Sequence, residues 1–79
     1  MNRAHVVTPW SGSGTDTARY QPQLAATYAL VSWVDVTGQS AANIVPSPNL
    51  YTVEIVCSDA VLAQIAADAT YSIVWSEPA

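Results

Sequence analysis

Few side chains in this sequence could do covalent chemistry, and each has a plainer structural use. His5 is the single histidine and Cys57 the single cysteine. A general base needs a nucleophile and an orienting acid within hydrogen-bond reach, and the sequence places neither beside His5, which adjoins the apolar pair Val6-Val7 and reads as a strand residue. Cys57 ends an apolar strand face just before a helix start, a position that can lower a thiol pKa. It is read here as a buried small hydrophobe. One histidine and one cysteine can form neither a His/Cys metal cluster nor an internal disulfide. Gly12-Ser13-Gly14-Thr15 lacks the lysine of a phosphate-cradling loop and the helix that should receive it, so it reads as a turn. Glu54 and Asp35, on adjacent strands, could imitate a carboxylate pair, but no neighbour gives them acid or base work, and the six acids have no calcium-loop spacing. The expectation is a chain with no catalytic residue, no metal, no cofactor and no small-molecule substrate.

Aromatic residues suggest contacts instead. Three tryptophans, Trp10, Trp33 and Trp75, are difficult to bury fully in 79 residues, and tryptophan is enriched at binding hot spots. Trp10 beside the glycine turn is the first choice, and Trp10, Arg19, Tyr20 and Trp33 form the candidate interface, together with strand edges and the loop from Ser11 to Gln23.

The elements that must position these residues follow from periodicity. His5 to Trp10 reads as a first strand that Pro9 puts at a sheet edge or a strand end, because proline cannot donate to a ladder. Ser11 to Asp16 is a turn-rich loop, and Thr17 to Ala29 a loop with about one helical turn, interrupted by Pro22. Leu30 to Thr37 is a strand. Its Leu30, Ser32, Val34 and Val36 face is the more apolar, which turns Trp33 outward. Gly38 to Ser40 signals a turn, and Ala41 to Asn49, with Pro46 and Pro48, is an irregular connector. Leu50 to Cys57 is the best strand and should be central, with Tyr51, Val53, Ile55 and Cys57 on one face. Ser58-Asp59 supplies an N-cap and a first-turn acid to a helix over Ala60 to Asp68, whose stripe of Val61, Leu62, Ile65 and Ala69 must pack on a sheet. Tyr71 to Ser76 is the last strand, alternating Tyr71, Ile73 and Trp75 against Ser72, Val74 and Ser76. The predicted fold is one α+β domain over residues 1–79, with a three- to four-stranded, mostly antiparallel sheet and one short helix on one face. Half of a ferredoxin-like fold would look like this.

Composition narrows the setting. The chain has two arginines, no lysine and six acids, a formal charge of −4, so direct nucleic-acid binding is not expected. Charged residues make up 10%, against about 25% in average globular chains. A domain of this size is marginally stable by itself, and without disulfide or metal the remaining support is association. Lysine is a common guard of exposed strand edges; here Pro9 and Pro78 are the guards available. No apolar stretch suits a membrane helix or a signal peptide, so no membrane partner is expected.

Val7-Thr8-Pro9, Gly12-Ser13-Gly14-Thr15 and Arg19-Tyr20-Gln21-Pro22, with Ser32-Trp33 and the run Leu62 to Asp68 before Tyr71 to Trp75, resemble short phage-encoded virion structural proteins. The Arg-Pro adjacency usual there is interrupted here by Tyr20-Gln21. This resemblance implies a capsid or tail accessory component, assembled in the host cytoplasm and contacting other virion proteins or copies of itself. It implies no catalytic residues. The order strand, helix, strand over Val53 to Trp75 is also similar to protease propeptide-like inhibitors, which implies as an alternative a small inhibitor or soluble binding module.

Overall fold

The structure, a computed structural model, describes residues 1–11, 21–37 and 50–79. Its elements are β1 (Asn2–Ser11), β2 (Gln21–Pro22), α1 (Gln23–Thr27), β3 (Ser32–Asp35), β4 (Leu50–Cys57), α2 (Asp59–Ala66) and β5 (Ser72–Pro78). The turn over 12–15, the connector over 38–49 and the candidates Arg19 and Tyr20 lie outside the described residues.

β4 has the bounds and the alternation expected of it. Tyr51, Val53, Ile55 and Cys57 are buried, while Thr52, Glu54 and Val56 are half-buried on the opposite face. It is central, flanked by β1 and β3. β1 departs from expectation. It is longer than His5 to Trp10 and is no edge, because β4 pairs with Asn2 to Pro9 on one side and β5 with Asn2 to Val7 on the other. Pro9 is tolerated because the β5 ladder has ended by then and β2 takes over only at Trp10. The missing N–H therefore falls near the strand end, between two partner strands.

Every pairing in the sheet is antiparallel, and the main strands run in the spatial order β5-β1-β4-β3. β4 separates β1 from β3, and β1 separates β4 from β5, so each helical connection crosses over one strand. This is the expected α+β module with a mostly antiparallel sheet. Apart from the two-residue β2, its β-α-β-β-α-β order is that of the ferredoxin-like fold, complete rather than halved, because α1 serves as the first helix in five residues.

Local chemistry explains both helices. Ser58 caps α2, its Oγ accepting the Val61 N–H at 3.2 Å, and Asp59 sits in the first turn, where a negative charge suits the helix dipole. Ile65 is fully buried and Val61 and Leu62 pack against the core, whereas Ala69, expected in the same stripe, is exposed. α1 begins after Pro22, which has no side chain able to cap it. The cap comes instead from β1: fully buried Thr8 accepts the Leu24 N–H on Oγ1 at 3.3 Å and donates its own proton to the Pro9 carbonyl at 3.0 Å. One hydroxyl thus satisfies an otherwise orphaned helix donor and itself.

All core side chains lie on one face of the sheet. Ala4 and Val6 from β1 and Val53, Ile55 and Cys57 from β4 meet Leu24 of α1, Ile65 of α2 and Tyr71. Tyr28 closes one end, meeting the Tyr71 ring edge-on with centroids 6.1 Å apart and donating to Asp68 Oδ2 at 2.8 Å. At the other end the first and last residues meet, with the Ala79 N–H 3.1 Å from the Met1 carbonyl and the Met1 amine 3.7 Å from Asp59.

Three facial assignments differ from the sequence reading. Trp33 stands opposite Ile55, and directly paired residues share a face, so it lies on the helix-bearing side rather than outward. It is 38% exposed because β3 is the last strand of the order and projects beyond the helices. Asp35 pairs with Val53 and Glu54 with Val34, which puts the two carboxylates on opposite faces and removes the imitated pair. Trp75 does not share a face with Ile73. The ladder runs from Ile73 opposite Val6 to Trp75 opposite His5, leaving Val74 as an extra residue, a β-bulge that turns the rest of β5 over.

Candidate functional site

The second face of the sheet has no described element packed on it. Arg3, His5 and Val7 of β1, Thr52, Glu54 and Val56 of β4, Ser32 and Val34 of β3, and Ser72, Trp75 and Glu77 of β5 point to it by register. Ordinary strand alternation puts the β1 and β4 residues there, because their intervening neighbours fill the core. The bulge puts Trp75 there. Were Val74 paired in ordinary alternation, the indole would share the face of Ile73 and point toward the helices.

One row crosses four strands in the order Trp75, His5, Glu54, Val34. The Trp75 and His5 rings lie 4.3 Å apart, tilted by 33°, and His5 Nε2 is 3.4 Å from Glu54 Oε1. His5 is 25% and Glu54 35% exposed at the side chain, while Val34 is 52% and Trp75 38% exposed. The row above it holds an ion pair, Arg3 Nη1 to Glu77 Oε1 at 3.5 Å, between residues directly opposite in the ladder. Both acids of the face are therefore partnered within the chain. An acid does stand beside His5, a pairing the sequence reading did not place.

The other titratable groups lie on the covered side or the rim. Burial pushes the Cys57 thiol up, opposing the thiolate that nucleophilic chemistry requires. Burial also drives the Tyr51 phenol well above its usual range, with the charge of Asp35 adding to the effect. Asp35 Oδ1 accepts the Thr37 N–H at 2.8 Å, and its buried Oδ2 has no hydrogen-bond partner among the described residues. Among the described residues no three His, Cys, Asp or Glu side chains are grouped to hold a metal ion, and no helix is long and apolar enough to cross a membrane.

Of the candidate interface residues, Trp33 is exposed on the helix-bearing side of β3, away from the row just described, and Trp10 stands in β1 opposite Pro22. No family model, curated protein or solved structure matches the chain. His5, Glu54, Val34 and Trp75 were missed as a group. The alternation of β4 could have placed Glu54 on this face, but only pairing register brings the other three to it.

Proposed function

We propose that this protein is a non-enzymatic structural or assembly component of a phage particle that works through protein-protein contacts on the open face of its sheet. The observation that carries the contact reading is the face itself. A four-stranded surface presents exposed Val34 and Trp75 beside half-buried Val7 and Val56, and of its two acids Glu77 is offset by Arg3 while Glu54 hydrogen-bonds His5, so few charges must be dehydrated when a partner covers it. Exposed apolar surface of this kind marks interaction sites. The virion setting rests on the sequence resemblance and on the low charged fraction.

The experiment is incorporation. Particles from the producing host, purified by sedimentation and analysed by mass spectrometry, should contain the chain in multiple copies. Val34→Arg, which places a charge at the β3 end of the row, should reduce incorporation at equal expression. A chain absent from particles and recovered instead on one defined soluble target overturns the assembly reading and favours the inhibitor or binding-module alternative.

A further inference from the structure

Building on the reading of the open face as a contact surface, we propose that its occupant is a second copy of this chain, packed face to face about a two-fold axis running along the strands, with His5 of each copy over Glu54 of the other.

The argument is the sequence of the row. Read from β5 to β3 it is aromatic, imidazole, carboxylate, aliphatic: Trp75, His5, Glu54, Val34. A two-fold axis along the strands lays the row on its own reverse. Trp75 then meets the partner's Val34, and His5 meets the partner's Glu54. Large is set against small and a hydrogen-bond donor against a carboxylate, as a self-complementary isologous interface requires. The neighbouring row, Ser72, Val7, Thr52, presents small and uncharged side chains, which leaves room for the bulkier indole row to interdigitate.

Charge distribution permits the approach. Two copies of a chain with formal charge −4 repel at long range. On this face Arg3 offsets Glu77 and leaves the single formal charge of Glu54, which hydrogen-bonds His5, while Asp59, Asp68 and Asp35 belong to the helix-bearing side or its rim. The face thus carries fewer uncompensated acids than the helix-bearing side, and a like-charged copy meets less repulsion there.

Sedimentation equilibrium of the purified full chain over a wide concentration range tests this. A monomer-dimer equilibrium is expected. Val34→Arg should raise the dissociation constant by at least about 100-fold, because it forces an unpaired cation into the contact, and Gln64→Ser, on the exposed surface of α2, should leave it unchanged. Amide chemical shifts of the unmodified chain on dilution supply a readout that does not depend on any variant folding; they should move at His5, Val34, Glu54 and Trp75. A chain that stays monomeric, or a dimer that ignores Val34→Arg and whose shifts move on α1 and α2 instead, overturns the proposal. Monomers that still enter particles would defeat the self-pairing alone. Dimers that never enter particles would defeat the virion reading alone.

Discussion

Two residues carry disproportionate responsibility for the covered face. Thr8 is a buried hydroxyl that caps a helix from the neighbouring strand, so Thr8→Val, nearly the same shape, should cost about 1–3 kcal/mol by leaving the Leu24 N–H buried and unpaired. Thr8→Ser keeps the bond and should cost less; urea unfolding of the three proteins checks the order. The second residue is Asp68. The backbone N–H of Thr70 and the Tyr28 hydroxyl hold its carboxyl below the usual range, and the same bond to Asp68 raises the Tyr28 phenol. A depressed acid stabilises the fold above its unfolded pKa, about 4, and loses that contribution as pH falls through the lower folded value. A raised phenol stabilises below its unfolded pKa, about 10, and loses the contribution as pH rises through the higher folded value. Tyr28→Phe should therefore flatten the pH dependence of stability on both arms, only partly on the acid side because the Thr70 N–H remains. Unchanged acid and alkaline slopes would show that this bond contributes nothing in solution.

At the scale of elements, the bulge in β5 decides which surface receives an indole. Deleting Val74 removes the extra residue, so that Ile73 and Trp75 follow one another opposite Val6 and His5 in an unbroken ladder and Trp75 keeps its face. The deletion should therefore be tolerated and leave the tryptophan near-ultraviolet circular dichroism little changed; a large loss of stability together with an altered tryptophan spectrum would contradict the role given to the bulge. This element also shows where sequence reading stops. β4 and α2 were legible because burial dictates them: four apolar residues at period two, and an N-cap followed by a stripe around Ile65. The facing of Trp33 and Trp75 was not. β3 is exposed on most of its surface, so the apolar count of its faces carries no record of which side bears the helices. A bulge adds a residue without any composition of its own. The contact row joins residues 5, 34, 54 and 75, whose meeting depends on three separate pairings. His5 beside Glu54 could be recognised only after the register was known.

Considered whole, the molecule divides its labour between two surfaces. One face of the sheet is filled by two helices that are too short to persist without it, and Ile65, fully buried in that contact, should cost about 2–5 kcal/mol when cut to alanine. The opposite face is free of that duty, so substitutions at Val34 should alter association far more than folding; a loss of thermal stability as large as that of Ile65→Ala would contradict this separation. The hydrogen bond between Ala79 and Met1 has another consequence. Residues 1 and 79 meet on adjacent strands, and the order of the strands in the sheet does not depend on which residue comes first. A circular permutant, with positions 79 and 1 joined by a few glycines and new termini opened within 38–49, should keep the same strand pairing. By the same geometry, the module could be spliced into a surface turn of another protein without prying that turn apart.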